Sequence, residues 1–262
     1  MKKTICLLLA AVLCVAMSSA VLAQENSKLN DFANRLKKIS DKKPAAEETA
    51  AEPAEDVSHG PALRIDDPFF QKVRSSAYLK ENEYSREANV MIEVKNISGR
   101  TLYPDEATII AYNAAGEVIE EETYASYGPD MVPDGGSLFI WDWFYGFDVP
   151  IAEISYFEVK VESETSSYNE YAEIDAQALV SEGITYALVE NTLDGDIYGV
   201  SATIAIENEE GTLLDVCSIT TGNAVGVFPG SVLVLRDNAE DYAADQPLMQ
   251  GSAMAYVLHQ LD

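Results

Sequence analysis

The sequence predicts an all-β fold made of two tandem β-sandwich domains, and three observations lead to that prediction. Short runs rich in Val, Ile, Tyr and Thr alternate with Gly, Pro, Asn and Asp through most of the chain. No stretch after residue 62 has a long helical period. The pattern of runs also recurs along the chain, which is typical of a duplicated unit.

Ten segments have the composition and alternation of strands. They are NVMIEVK (89–95), ATIIAYN (107–113), EVIEEETY (117–124), SLFIWDWF (137–144), ISYFEVKVE (154–162), ITYALVE (184–190), VSATIAIEN (200–208), TLLDVCSI (212–219), SVLVLR (231–236) and AMAYVLHQ (253–260). Many short strands separated by turn signals indicate a sandwich or a barrel.

The repeat becomes visible when Asn96 is set against Asn191, a shift of 95 residues. The NAAG turn at 113–116 then aligns with the NEEG turn at 208–211, and each turn ends in a Gly suited to positive φ. A Pro-Gly corner follows in each half, VPDGGS at 132–137 and FPGS at 228–231. We align these corners with a length change of one residue, so that the shift after them is 94. We therefore predict β-sandwich domains at residues 63–171 and 172–262.

The first 23 residues have the features of a secretory signal peptide. Lys2 and Lys3 precede an apolar stretch, and Val21-Leu22-Ala23 resembles a cleavage site. Cleavage after Ala23 would release an exported protein with no membrane span. A lipid anchor at Cys14, or retention of the signal as an anchor, stays open.

Residues 24–62 separate the signal peptide from the first predicted sandwich. A basic segment holds four apolar residues at helical spacing, Leu29, Phe32, Leu36 and Ile39, which predicts a short amphipathic helix. The helix is either only marginally stable or contacts a membrane or a partner. Residues 44–62, rich in Pro, Ala and acids, predict a disordered linker. His59 lies in this linker, and we expect it to be solvated.

The charge of the chain is strongly negative, at −27 overall. Without the signal peptide, 15 basic residues oppose 44 acidic ones, a net charge of −29. Nucleic acid is therefore excluded as an expected partner, because binding it requires a positive surface.

No catalytic or cofactor signature is present, so we expect neither an enzyme nor a cofactor. The chain lacks the G-x-S-x-G, H-E-x-x-H and P-loop patterns, and His59 and His259 are its only histidines. A metal site built from Cys and His is not expected either. Cys217, the one cysteine outside the signal peptide, reads as a small core residue, with a reactive thiol or intermolecular disulfide as alternatives.

A strand ending in Asn, a Tyr after a short turn and a hairpin of the Asn-x-x-Gly type together resemble the FxLYD-type domains. The name-giving motif would fall on IIAYN at 109–113 and on IAIEN at 204–208. The resemblance covers residues 88–162 and 183–260. It implies immunoglobulin-like β-sandwich modules of exported bacterial proteins with a non-catalytic extracellular role, and it assigns no functional residues.

The stretch LFIWDWFYGF at 138–147 holds six aromatic residues, including both tryptophans of the chain. Alternation places Phe139, Trp141, Trp143 and Tyr145 on one face of a strand. The one-residue length change aligns Phe139 and Trp141 with apolar residues of the second half. We therefore expect Phe139 and Trp141 in the core of the first sandwich.

The apolar pattern that the two halves share stops before residues 143–147, WFYGF, so the aromatic residues there are specific to the first half. Trp143, Tyr145 and Phe147 are therefore the candidate ligand-binding residues. An exposed row of rings could stack on sugars or anchor a protein partner. Alternatively, the rings pack under the following loop or against the second domain.

These observations together predict an exported, non-catalytic binding protein of the cell envelope or the extracellular space. A protein partner is the first expectation. The alternative is a carbohydrate-binding module that uses the aromatic strand of the first domain.

Overall fold

The computed structural model describes residues 58–166, 171–174, 176–181, 184–222, 226–238 and 252–260. Residues Ala54–Asp262 form one compact unit. The predicted signal peptide, the amphipathic helix and most of the linker lie outside the described residues. No helix among the described residues is long and apolar enough to cross a membrane.

The described part of the chain is all-β, as the alternating runs predict. Its strands are β1 (Ser58–His59), β2 (Ala62–Ile65), β3 (Phe70–Glu81), β4 (Arg86–Asn96), β5 (Tyr103–Tyr112), β6 (Val118–Glu122), β7 (Ser126–Gly128), β8 (Ser137–Tyr145), β9 (Tyr156–Glu164), β10 (Tyr171–Ile174), β11 (Ala176–Ser181), β12 (Ile184–Glu190), β13 (Tyr198–Glu207), β14 (Leu213–Thr220), β15 (Val232–Asn238) and β16 (Ser252–Gln260). A single 3-10 turn, Ile151–Glu153, precedes β9.

The strands form two sandwich-like sheet pairs. The N-terminal pair consists of a five-stranded sheet, β1-β3-β4-β8-β7, and a four-stranded sheet, β2-β9-β5-β6. Its core draws on both sheets, for example Ile92 and Ile140 from the first and Phe157 from the second. The C-terminal pair consists of β10-β16-β13-β14 and β11-β12-β15, with Ile204 and Val189 in its core.

The two sheet pairs repeat their strands at an interval of 95 residues. Strand β5, Tyr103–Tyr112, recurs as β13, Tyr198–Glu207. The buried Asn96 Nδ2 donates to the carbonyl oxygens of Arg100 (2.7 Å) and Val132 (2.9 Å). Asn191 Nδ2 makes the same two bonds 95 residues later, at 2.8 and 2.7 Å. These buried bonds tie the end of one strand to the next corner in both pairs.

The predicted Asn-x-x-Gly turns are present in both pairs. Asn113 Oδ1 accepts hydrogen bonds from the backbone N–H groups two and four residues later, both at 2.9 Å, and Asn208 Oδ1 does the same at 3.0 Å. Gly116 and Gly211 have φ of +79° and +84°, where a side chain would be strained. The turn chemistry that aligned the halves is therefore confirmed.

The one-residue length change that we placed at the Pro-Gly corner in the sequence alignment is wrong. The isolated bridge between Leu102 and Val132 recurs between residues 197 and 227, again 95 positions later. Gly135 and Gly230 hold the same corner position, with φ of +76° and +71°. The shift is thus 95 on both sides of the corner. A slip of one residue exchanges the two faces of a strand, so every facing assignment made beyond the corner changes.

Strand β8 shows the consequence. Leu138, Ile140 and Phe144 enter the core of the N-terminal pair. Phe139 and Trp141 lie on the opposite, outer face, in a cluster with residues of the C-terminal pair. The expectation that Phe139 and Trp141 belong to the core of the first sandwich is therefore wrong.

The outer face of β3, β4 and β8 packs against β13 and β14. A dry cluster there contains Met91, Phe139, Ala205, Leu213 and Val216, with Tyr78 and Trp141 packed beside it.

Polar contacts border this cluster. Arg74 Nε donates to Glu93 Oε2 (2.6 Å), and its Nη1 donates to Glu207 and to the carbonyl oxygen of Gly211 (2.7 Å). The Tyr78 hydroxyl donates to the Leu213 carbonyl oxygen at 2.8 Å. The two sheet pairs are therefore joined by apolar packing with its polar edge satisfied.

All ten segments expected to be strands lie largely within strands, but several further strands were not predicted. Strand β3 carries Ser75, Ser76 and Ala77 at buried positions instead of Val or Ile. The predicted linker also extends too far, because Ser58–His59 pairs in parallel with β3. His59 stacks on Tyr78, with ring centroids 4.7 Å apart. Pairing with β3 orders this segment although its composition has no strand signal.

Candidate binding cleft between the two sheet pairs

A cleft of about 510 Å³ opens where the two sheet pairs meet. Strands β4, β7 and β8 line one side, and β14 and β15 line the other. The lining residues are Asn89, Ser126, Tyr127, Trp141, Asp142, Trp143, Asp215, Val216, Cys217, Ser218 and Asp237. A concave site of this volume is in the size range of small-molecule pockets.

Both tryptophans of the chain stand in this cleft. Trp141 and Trp143 alternate on β8 and therefore share its outer face. Both are partly buried, and Trp141 also touches the dry cluster between the sheet pairs. The cleft thus begins where the packed interface ends.

Asn89 contributes a buried amide to the cleft. It lies in β4, directly opposite Trp143 in the ladder with β8. The residue is only 5% exposed, and within the described part of the chain its side chain makes no hydrogen bond. Its amide atoms are not fully buried, so they face the open space of the cleft.

Three acidic residues line the same cleft, and two of them are equivalent by the repeat. Asp142 and Asp237 are separated by the interval of 95, and Asp215 of β14 stands between the sheet pairs. Burial raises the pKa of Asp142, against the opposing effect of hydrogen bonds from the backbone N–H groups of Trp143 (2.6 Å) and Ser126 (3.3 Å). Among the described residues, no Lys, Arg or His lines the cleft.

Cys217 lies on β14 at the cleft and also packs against the core of the C-terminal pair. Its assignment as a small apolar core residue agrees with this packing. Burial raises the pKa of the thiol far above its usual range, and the charges of Asp215 and Asp237 add to that shift. The thiolate is the nucleophilic form, so this cysteine is not activated for catalysis.

The structure separates the three residues predicted to bind a ligand. Trp143 and Tyr145 are stacked, with ring centroids 5.3 Å apart, and Tyr145 is 69% exposed. Phe147 instead lies in the core of the N-terminal pair, where it stacks on Phe144 at 5.6 Å. Phe147 is therefore wrong as a surface contact residue. Gly146, with φ of +74°, ends the alternation of β8 and turns the next side chain inward.

A second surface runs along β15, which pairs only with β12 among the described residues. Val232 is 53% exposed and Val234 is 40% exposed on its outer face. Phe228 and Leu193 are further exposed apolar residues of the C-terminal pair. The strand therefore combines open backbone groups with an apolar face.

Sequence reasoning found Trp143 but missed Asn89 and the carboxylates. A signal for Asp142 and Asp237 existed, because the uniform shift of 95 aligns them. The mistaken length change hid that signal. Asn89 had no signal, since an Asn at the start of a strand pattern is ordinary.

Comparisons with known proteins give little further information. No family model and no curated protein matches the chain. Solved structures similar to it include red sea bream transglutaminase (16% identity, 62% of this chain and 26% of that one, TM-score 0.18). Another is the C-terminal globular domain of an oligosaccharyltransferase from Pyrococcus abyssi (8%, 74% and 47%, TM-score 0.20). A third is the secreted serine protease VesC from Vibrio cholerae (9%, 70% and 46%, TM-score 0.14).

This chain spans less than half the length of each of these three proteins. With such low TM-scores, the likeness supports no conclusion about function.

Proposed function

We propose that this chain is an exported, non-catalytic binding protein of the cell envelope or extracellular space, which binds a protein partner along β15. We also propose that the two sheet pairs are tandem immunoglobulin-like sandwiches related to the FxLYD-type modules. The repeated strand order and the repeated Asn amide bonds support the second proposal. The open apolar edge of β15 is the observation that carries the first.

Edge strands are sites where a partner chain can add a strand, and proteins usually protect them. Here β1, β2, β7 and β10 are edges of only two to four residues. Strand β6 carries three consecutive glutamates, and β14 packs against the N-terminal pair. Strand β11 is the other edge of the β15 sheet and has six residues, of which Ala176 and Ala178 pack against the core. In contrast, β15 has seven residues with Val232 and Val234 exposed. An extended segment of a partner could pair with its backbone and cover these side chains.

The chemistry of the cleft supports a non-catalytic role. A thiol whose pKa is raised by burial is a weak nucleophile at neutral pH. Asp142 accepts two backbone hydrogen bonds, which fix its carboxylate in place within β8 and β7. These groups can hold a ligand, and the protonated thiol is a poor nucleophile for a covalent intermediate.

Site-specific photocrosslinking tests the protein-binding proposal. A photoreactive residue at Val234 should crosslink one defined partner from envelope extracts. The same residue at Val118, which is 57% exposed on the edge strand β6, should not. With the identified partner, Val232→Lys/Val234→Lys should weaken binding by about tenfold or more, as expected for a central apolar contact. Val118→Lys should leave it unchanged. Equal crosslinking from both edges would contradict the proposal.

The stacked Trp143–Tyr145 pair favours carbohydrate binding as the second candidate function. The exposed ring of Tyr145 offers a face on which a sugar could stack. A glycan array would test this candidate, and Tyr145→Ala should abolish any signal that depends on the pair.

A further inference from the structure

We propose that the cleft between the sheet pairs binds a small organic cation, an amine or quaternary ammonium compound with an apolar body. The ligand would contact the rings of Trp141 and Trp143, the amide of Asn89, and the carboxylates of Asp142 and Asp237. The site shares strand β15 with the proposed protein surface through Asp237, but Val232 and Val234 do not line the cleft.

The unsatisfied amide of Asn89 is the first observation that points to a ligand. It is 95% buried, lines the cleft, and makes no side-chain hydrogen bond within the described residues. Its amide atoms are not fully buried, so they reach the open space of the cleft, where a ligand could bond to them. Its carbonyl oxygen could accept a hydrogen bond from an ammonium N–H group or from a water molecule held beside the ligand.

The rings are the second observation, independent of the first. Trp is the best aromatic surface for a cation, and both indoles stand on the same face of β8 in the cleft wall. The apolar body of an amine or ammonium compound would bury surface against the same rings.

The sign of the charge selects among ligands. Asp142, Asp215 and Asp237 line the cleft, and no basic side chain of the part of the chain that the structure describes does so. The charge of −27 on the whole chain also attracts cations and repels anions. A neutral sugar could use the rings and the amide but would gain little from three carboxylates. Burial raises the pKa of Asp142 and thereby favours its protonated form. A cation bound nearby would have the opposite effect and favour the ionised form.

Intrinsic fluorescence provides the test, because the only two tryptophans of the chain both line the cleft. The protein is titrated with choline and with spermidine as cation probes, and with methyl glucoside as a neutral probe. At least one cation should change the indole emission in a saturable manner. Methyl glucoside should not, and added salt should weaken cation binding because it screens charge.

Matched variants locate the site. Asp237→Asn should raise the Kd of the responsive cation by about tenfold, the usual effect of removing a charge-assisted contact. Asp194→Asn changes the net charge equally but lies in an exposed turn outside the cleft, so it should leave the Kd unchanged. Asn89→Ala should also weaken binding, and circular dichroism would show whether that variant folds.

Three results would overturn the proposal. They are the absence of saturable binding by either cation, equal binding of methyl glucoside, and equal effects of Asp237→Asn and Asp194→Asn. The Val232→Lys/Val234→Lys variant should bind the cation normally, so failure of this site and failure of the β15 surface can be told apart.

Discussion

The N-terminal and C-terminal sheet pairs expose equivalent surfaces to very different surroundings. In the N-terminal pair, the outer face of β3, β4 and β8 carries Phe139 and Trp141, and β13 and β14 cover it. In the C-terminal pair, the interval of 95 places Val234 and Arg236 at the same positions. Val234 is 40% exposed there, whereas Phe139 is fully buried.

This difference shows how a repeated strand pattern can serve two purposes. The inward residues of the repeat build two similar cores, as Ile140 and Leu235 illustrate. The outward residues are free to diverge, because the core does not constrain them. In the first pair they became large and aromatic and formed an interface. In the second, Val234 and Arg236 are exposed to water.

The largest expected effect is at the centre of the covered face. Phe139→Ala should lower the free energy of unfolding by about 3–5 kcal/mol, because it opens a cavity in the dry cluster. Val234→Ala, at the equivalent position, should change it by only about 0.5 kcal/mol or less. Chemical denaturation measures both. Similar losses for the two variants would mean that the two faces are covered alike, and the comparison would fail.

A smaller effect is expected where β7 approaches β13. A methyl group added at Gly128 would collide with Thr203 Oγ1, so Gly128→Ala should cost about 1–3 kcal/mol. Thr203→Ala removes the colliding atom and should reduce that cost in the double variant. Strictly additive costs in this double-mutant cycle would show that the two strands do not touch in solution.

The smallest effect sharpens the comparison at the cleft, where Asp142 and Asp237 are equivalent. Burial raises the pKa of Asp142, so the folded state holds this proton to higher pH than the unfolded state. The stability from the protonated form is complete below the unfolded pKa of about 3.9 and is lost as pH rises through the folded pKa. The Asp142→Asn variant has no titratable group at this position, so its stability does not fall with pH for this reason. The stability of this variant relative to the natural chain should therefore rise as the pH increases above about 4.

Denaturation curves at several pH values check this prediction. A difference in the free energy of unfolding that is the same at every pH reflects the altered hydrogen bonds to residue 142, and it does not test the pKa shift. A relative stability that falls as pH rises would contradict the assigned direction of the pKa shift.

Local sequence signals predicted the strands well, since alternation and turn chemistry act over a few residues. The Asn-x-x-Gly turns are recognisable because Gly alone accepts their positive φ without strain. Strand β3 was not predicted, because its buried residues Ser75, Ser76 and Ala77 do not have a high strand propensity. These small residues lie where neighbouring parts of the fold come close, and such proximity is not encoded in a local pattern.

The sequence predicted some residues of the candidate site and missed others. Trp143 and Tyr145 were identified from the excess of aromatic residues, and the structure does bring them together. Phe147 was misplaced because a single backbone angle at Gly146 reverses its direction. Asn89 and Asp215 come from different sheet pairs, so only the docking of those pairs makes them neighbours.

The sequence by itself determined the all-β class and the turns, because each depends on residues close together in the chain. It showed the interval of 95 up to the Pro-Gly corner, but not beyond it. It also determined the negative charge, which needs no fold. Only the tertiary structure decided which side of β8 faces the core and which faces the other sheet pair. Both faces of that strand are apolar, so alternation separates the two sets of residues but cannot say what covers each. That choice depends on β13 and β14, about 60 to 80 residues further along the chain, and on the packing free energy gained when they close over Phe139.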